Sequence, residues 1–545
     1  MKQSVLIIKC VFFLFSLSAF NLFGQQAKHF VVIGVDGMSP DGIEKANTPV
    51  MDKLMREGAS TMYARGVLST SSSQNWASMI MGAGPEQHGI TSNGWEREET
   101  PFPPVVSGRE GIFPTIFCEL RKQKPDAEIG IVYDWSGFGR LCEKSCVIYD
   151  KNPEGETKTT DVAVAYIKEK KPNYLFIHLD HVDGAGHGKG HGSPEYYKAV
   201  EKADSLIGRI IGALNDAGIM KETVVLITSD HGGKGYGHGG ESLEELEIPF
   251  ILYGKNVKRG KEIIQPVYQY DNAATAAFSL GITQPYAWIG RAVKSAFLGF
   301  DDPAGSVAVK RIKKPVIHPA NYGDDPAGGL FIGKIPHCNI TSEDKSVSVH
   351  FTTDGTIPTI VSPIFKDSFK VEKSMVVMAR AFSKDTNASE TQTAYFRIVK
   401  AGTAPTVSYK YYELDSTTET QQLPDFNLLK PTREGKVHEF RINDVPNRGT
   451  QFAVVLTSKL VINKAAQYRF FTNSDDGSKL YVNGKEVVDN DGNHGNRERS
   501  SSVALKEGEH DLKVTYYNGG GGKWLDVYWG ADKLPKQILS PDWLK

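Results

Sequence analysis

The sequence predicts an α/β domain built on a mostly parallel sheet, followed by two small all-β domains. Three observations carry this. Between His29 and about Leu298, short runs of Val, Ile, Leu and Phe alternate with helical patterns, and the runs are apolar on both faces, as buried parallel strands are. After Arg291 the long helical pattern stops. Beyond about residue 331, alternating strands separated by Gly- and Asn-containing turns dominate. A chain of 545 residues is also too long for a single core.

The first element is a targeting segment. Lys2 and Lys9 precede the apolar run Cys10–Phe23 and small residues, which reads as a secretory signal over residues 1–24. The mature chain is then expected to be secreted or periplasmic, and no other stretch is long and apolar enough to span a bilayer. Over residues 27–300, strands are expected at His29–Val35, Glu128–Tyr133, Asn173–Leu179, Thr223–Ser229 and Pro249–Tyr253. Asn47-Thr48-Pro49 starts one helix and Ser193-Pro194-Glu195 a longer one, whose face runs through Tyr197, Val200, Ile207, Ile210 and Leu214. Strand–helix alternation implies right-handed crossovers, with the active site at the carboxyl ends of the strands. Residues 301–330 read as linker, 331–400 as one β domain and 405–545 as another.

Composition excludes some roles. A net charge of −1 and a pI near 6.9 leave no basic surplus for a nucleic-acid-binding surface. Beyond the signal the chain has Cys118, Cys142, Cys146 and Cys338, whose spacing matches no zinc site. In an oxidising compartment, Cys142 and Cys146 are expected to close a small loop.

The chemistry centres on Thr70-Ser71-Ser72-Ser73-Gln74-Asn75-Trp76, a hydroxyl run that enters the apolar segment Ala77–Met81. A hydroxyl at a helix start sits among unpaired N–H groups, where a phosphoryl group would settle; the plainer alternative is an N-cap. Three strand ends finish in metal-competent residues: Asp36-Gly37, then Asp183-Gly184-Ala185-Gly186-His187, then Asp230-His231, with His238 following. Carboxylates and imidazoles suit zinc or a similar divalent ion.

With these residues the chain resembles the alkaline phosphatase superfamily, in particular its nucleotide pyrophosphatase/type I phosphodiesterase branch. The carrying pieces are Val35-Asp36-Gly37, Ser72 with Asn75, Gly82, Pro85-Glu86-Gln87-His88-Gly89-Ile90, Asn93, Trp135-Ser136-Gly137, Asp183 with His187, Ser229-Asp230-His231-Gly232, His238 and Asp271-Asn272 through Gly281. The resemblance implies an alkaline-phosphatase-like α/β/α sandwich and two divalent metal ions, zinc by preference. Asp183, His187 and His238 would hold one ion; Asp36, Asp230, His231 and Ser72 the other. Ser72 would be the nucleophile through a phosphoseryl intermediate, and Asn75 would donate to a phosphoryl oxygen. The other histidines read first as structural: His88 as a cap or packing residue, and His178, His181 and His191 as supports of ligands. Trp76 and Trp135 read equally as packing and as pocket walls. The chain departs from that branch at Ser73-Gln74, where the branch has an aromatic and a proline. No arginine is assignable as a monoester clamp, which favours diesters.

The region around Phe351-Thr352-Thr353-Asp354-Gly355 and Ser374–Phe382 resembles the C-terminal β-sandwich of chitobiase and hexosaminidase, read as a spacer. Residues 405–545 are similar to the protective-antigen-type domain, through Phe471–Lys485 and Trp524–Trp529. There the resemblance implies calcium or sugar at Asp475 and Asp476, with turn bracing as the alternative. The expectation is therefore a secreted phosphodiesterase or pyrophosphatase, acting on a phosphate ester, with β modules for glycan or surface attachment. An alkaline-type phosphomonoesterase is the alternative, and a catalytically inactive carbohydrate-binding surface protein is the rival from another class.

Overall fold

The computed structural model describes residues 26–545 apart from 100–101, 310, 322–326, 386, 416–420 and 521. The expected signal peptide lies outside the described residues. The chain divides into two compact units. One holds His238–Val309 and the described residues up to Lys234; the other holds residues 235–237 and 310–545.

The first unit is built on an eight-stranded sheet. Its strands are β1 (His29–Val35), β2 (Ala59–Arg65), β3 (Ile129–Tyr133), β4 (Tyr149–Lys151), β5 (Tyr174–Leu179), β6 (Thr223–Thr228), β7 (Glu247–Gly254) and β8 (Lys261–Glu262), in the order β4-β3-β5-β1-β6-β7-β2-β8. β1 is central and pairs in parallel with β5 and β6, whereas β7 runs antiparallel to both β6 and β2. β2, β4 and β8 are additions to the expected strands. Ala59–Arg65 is only partly buried and carries Ser, Thr and Arg, so it lacks the apolar run that marks a central strand.

The sheet is covered on both faces by helices that include α1 (Pro49–Glu57), α2 (Ser72–Met81), α3 (Ile116–Gln123), α4 (Glu156–Lys170), α5 (His181–Lys189), α6 (Pro194–Asp216) and α7 (Asp271–Leu280). Strand periodicity separates the two cores. Phe30, Val32, Ile131, Phe176 and Leu226 pack with α2, α3 and α7. Val31, Ile33, Ile177 and Ile227 pack with α1, α4 and α6. α6 starts where its sequence directs: Ser193 Oγ accepts from Tyr196 N at 3.1 Å and Pro194 opens the first turn. Its core tyrosine is Tyr196, fully buried, rather than the expected Tyr197.

The disulfide differs from the expected one. Cys118 pairs with Cys146, with Cα atoms 5.0 Å apart, while Cys142 stays unpaired and buried. The reason is tertiary. Thr115 caps α3, and α3 packs against the short turn Lys144–Cys146, which brings together cysteines distant in sequence. The Cys142 Sγ instead faces Phe138 O.

The second unit is all-β among its described residues, apart from short 3-10 turns. Val316–His318 and Ala327–Ile332 are strands, so the stretch expected to be linker contributes to the sheets. A four-stranded and a three-stranded sheet enclose Ile317, Cys338, Val377, Ala379 and Phe396. A six-stranded and a second four-stranded sheet enclose Val454, Phe470, Leu480, Val514 and Trp529.

Candidate active site

Three parallel strands deliver the acidic residues to one edge of the sheet. β1 leads into Asp36, β5 leads through Asp180 into α5 with Asp183 and His187, and β6 leads into Asp230 and His231. Close approach of these loops depends on Gly37. It adopts φ +67°, and a Cβ there would lie 2.9 Å from the Asp183 backbone.

The metal-competent residues converge. Ligand atoms of Asp36, Asp230 and His231 lie within 4.8 Å of one another, as do those of Asp183, His231 and His238. His187 Nε2 is 3.2 Å from Asp183 Oδ2. A third such set, Asp36 with His178 and Asp180, adjoins the first. Hydrogen bonding orients both inner imidazoles. His231 Nδ1 pairs with Gly232 O at 2.7 Å and His238 Nδ1 with Thr70 O at 2.8 Å. A carbonyl only accepts, so each Nδ1 carries the proton and each Nε2 turns its lone pair inward.

That arrangement sets acceptor against acceptor. His231 Nε2 is 3.1 Å from Asp230 Oδ2 and 3.4 Å from Asp36 Oδ1, and His238 Nε2 is 3.7 Å from Asp183 Oδ1. Those three carboxylate oxygens are buried and accept no hydrogen bond. Burial and then the neighbouring Asp183 charge push the Asp36 carboxyl up to about 7. Burial, with Asp36 and Asp183, raises Asp230 well above the usual carboxylate range. Burial holds the His231 imidazole well below its usual range, so it does not supply the missing positive charge. A cation here would let these raised carboxyls ionise and would take up the facing imidazole lone pairs, and the donor set of carboxylate oxygen and imidazole nitrogen fits divalent ions such as zinc.

The hydroxyl loop of residues 70–73 meets this cluster. Ser72 opens α2, and its Oγ lies 3.2 Å from His231 Nε2. Thr70 fastens the loop to the His238 segment: its Oγ1 donates to Gly240 O at 2.8 Å and accepts from Gly239 N at 3.0 Å. Trp76 is wholly buried, and a Cβ on Gly34 of β1 would lie 2.5 Å from its ring. Its Nε1 donates to Asp36 Oδ2 at 3.1 Å. Trp76 therefore holds Asp36 from beneath and does not wall a pocket.

Asn75 does not take the role expected of it. Its Oδ1 accepts from Val67 N at 2.6 Å, and its Nδ2 donates to the carbonyls of Val67, Ser69 and Ser71. With both ends of the amide committed to backbone, Asn75 shapes the loop. The amide at the mouth is Asn93, whose Oδ1 accepts from Ser73 N at 2.8 Å and whose side chain is exposed. Asn93 stood among the motif residues without a role, because only folding brings it onto the start of α2. Arg140 was likewise missed: its Nη2 donates to Ser73 Oγ at 3.2 Å and to Asn93 O.

Of the other histidines, His178 supports the centre, its Nε2 3.1 Å from Asp36 Oδ2. His191 is wedged between Gly186 and Gly233, where added Cβ atoms would lie 2.3 and 2.1 Å from its ring. His88 pairs with Ser78 Oγ at 3.0 Å and accepts from Ile90 N, a packing role. His181 Nε2 pairs with Ala199 O at 3.1 Å. In the second unit, Asp476 is buried and accepts from His494 N at 3.1 Å and Gly519 N at 2.9 Å, the geometry of a turn brace.

Comparison with known proteins finds three family matches along the chain. Residues 30–114 and 143–246 match the type I phosphodiesterase/nucleotide pyrophosphatase family. Residues 326–393 match the chitobiase/beta-hexosaminidase C-terminal domain, and residues 409–543 the PA14 domain. Ectonucleotide pyrophosphatase/phosphodiesterase family member 1 of Mus musculus is 23% identical over 252 residues, covering 44% of this chain and 28% of that protein. Venom phosphodiesterase CdcPDE of Crotalus durissus collilineatus is 24% identical over 227 residues, 38% of this chain and 26% of that protein. The chain thus spans little more than a quarter of the length of these curated relatives. The structure of human ectonucleotide pyrophosphatase/phosphodiesterase 5 aligns over 50% of this chain and 100% of that chain, with 15% identity and a TM-score of 0.43.

Proposed function

We infer, from a first domain of the type I phosphodiesterase/nucleotide pyrophosphatase kind within the alkaline phosphatase superfamily, that the protein is a two-metal phosphoric ester hydrolase of phosphodiesterase or pyrophosphatase type. The observation that carries this is Ser72 Oγ at a helix start, 3.2 Å from His231 Nε2, in a cluster of buried carboxyl groups that each keep one oxygen without a hydrogen bond. Asp183, His187 and His238 would hold one ion and Asp36, Asp230, His231 and Ser72 the other, supplying Lewis-acid charge and a lowered hydroxyl pKa. Ser72 Oγ attacks phosphorus as the bond to the leaving oxygen breaks, and water then cleaves the phosphoseryl ester. Asn93 Nδ2, oriented by the bond from Ser73 N to its Oδ1, donates to a non-bridging oxygen, and the N–H groups at the start of α2 add to that field.

The remaining features extend this reading outward. A disulfide between Cys118 and Cys146 suits an oxidising compartment and so supports secretion. No helix among the described residues is long and apolar enough to cross a membrane. The chitobiase-type and PA14 regions support attachment to glycans, with calcium at Asp475 and Asp476 as the test case. The assay is hydrolysis of bis-p-nitrophenyl phosphate and p-nitrophenyl phosphate by zinc-loaded protein. Turnover lost in Ser72→Ala, with zinc content retained, is the expected result. A zinc-loaded protein that hydrolyses neither ester overturns the proposal, and a large monoester preference replaces diesterase with monoesterase.

A further inference from the structure

A cation from a distant loop reaches the hydroxyl loop, which spacing along the chain did not reveal. Arg140 follows the turn Ser136–Gly139, and its guanidinium crosses to the start of α2. Nη2 donates to Ser73 Oγ and Asn93 O, and Nη1 donates to Glu96 Oε1 at 2.7 Å. The guanidinium lies 5.9 Å from the centre of the Trp135 ring. Its Nε is buried and has no hydrogen-bond partner. Neighbouring Arg97 is committed elsewhere, to Arg140 O, Cys142 O and Glu110.

Two features leave the Arg140 charge available to a substrate. Its side chain is only 22% exposed, so water screens it incompletely. Glu96, its carboxylate partner, is 55% exposed, and an ion pair of that kind contributes only about 0–1 kcal/mol. The guanidinium also replaces what the position beside the nucleophile would otherwise offer. An aromatic at residue 73 would present an apolar face; Ser73 instead presents a buried hydroxyl that accepts from a guanidinium.

We propose that Arg140 is a specificity-determining residue that favours a transferred phosphoryl group bearing two negative charges, so that phosphate monoesters are substrates beside diesters. This rests on the hydrolase reading above. A diester has two non-bridging oxygens and one charge; a monoester has three and two charges, its third oxygen taking the place of the second ester substituent. A planar guanidinium is suited to that extra oxygen and charge. Glu96 competes with the substrate for the same Nη1 group.

The test compares wild type, Arg140→Gln, Arg140→Lys and Glu96→Gln, all zinc-loaded and near pH 8, where a monoester is the dianion. For Arg140→Gln, kcat/KM for p-nitrophenyl phosphate should fall by about 10–150-fold, the worth of a charge-assisted hydrogen bond, and that for bis-p-nitrophenyl phosphate by less than about 3-fold. Arg140→Lys should recover part of the monoester loss, and Glu96→Gln should raise monoester turnover. Binding by calorimetry needs no turnover: Arg140→Gln should weaken inorganic phosphate about tenfold and leave dimethyl phosphate unchanged. Equal losses on both esters, or phosphate affinity unchanged, overturn the proposal and leave Arg140 as a residue that only positions Asn93 and Ser73. If wild type hydrolyses neither ester, the hydrolase reading fails. The two binding affinities then decide Arg140 alone, unequal weakening supporting it and equal weakening refuting it.

Discussion

Asn75 commits its amide to the loop backbone, and the phosphoryl-donor role expected of it is the one proposed for Asn93. Asn75→Ala would leave Val67 N buried without an acceptor, at a cost of about 1–3 kcal/mol. The expected outcome is a lowered melting temperature. Asn93→Ala should instead lower kcat by about 10²–10³-fold with little change in melting temperature. Steady-state kinetics and thermal melts of the two variants separate the roles. Among the hydroxyls, Ser72→Ala should abolish turnover while Ser71→Ala and Ser73→Ala retain it. Activity that survives in Ser72→Ala and dies in either neighbour would show that the nucleophile is misassigned. The convergence of Asp36, Asp230 and His231 could be expected from the sequence because each follows closely on an apolar strand run, and strand ends meet at one sheet edge. Asn93 and Arg140 were not legible there, because they belong to loops whose approach to Ser73 depends on tertiary packing. Their types, amide and guanidinium, are common on any surface.

At the scale of elements, the segment from α3 to β4 is where sequence reading was weakest. Cys142 and Cys146 are near neighbours in the chain, but the helix capped by Thr115 delivers Cys118 to Cys146. Replacing both bonded cysteines by alanine should cost about 3–4 kcal/mol by loop-closure entropy, read from urea melts. Glu143 lies in the same segment, buried, and accepts from Thr115 Oγ1. Burial is the main cause raising its carboxyl to about 7 from an ordinary 4.5. The folded state therefore holds the proton more tightly than the unfolded state. Its contribution to stability is full below about pH 4.5 and is lost as pH rises through about 7, an effect of roughly 3 kcal/mol. Glu143→Gln should flatten that dependence, leaving the variant more stable than wild type at pH 8 and equal to it at pH 4. Melts across this range check it. The central strands were legible because both faces are apolar. β2 escaped notice because it pairs near the sheet margin, and Tyr149–Lys151 because it is only three residues long.

At the scale of the whole molecule, the chain reads as two units, and the second is more integrated than its two family matches suggest. Arg397, beyond the chitobiase-type match, forms a buried pair with Glu439 of the PA14 region through Nε–Oε1 at 2.6 Å and Nη2–Oε2 at 3.2 Å. Arg441 Nε donates to buried Asp526 at 2.5 Å, and Tyr395 packs edge-on to Tyr528. A bidentate buried pair is strongly coupled, so Glu439→Ala should destabilise the second unit by about 3–5 kcal/mol. Differential scanning calorimetry should show the β transition shifted down while esterase activity is retained. A chain-long loss of activity at temperatures below that transition would contradict this separation. The ion pair between the two β regions was not legible in the sequence, since it joins a strand residue, Arg397, to a bend residue, Glu439, 42 positions on.

The indole of Trp76, pressed on Gly34 and bonded to Asp36, makes the protein its own optical reporter. Among the rings around it are those of Phe138, Phe176 and His178, with water excluded, so its emission should be blue and sensitive to the charge on the carboxylate it touches. Adding zinc to stripped protein should change that emission as the charge on the Asp36 carboxyl bonded to the indole changes, and Trp76→Phe should abolish the change. Stopped-flow fluorescence would then time the filling of the centre without any substrate present.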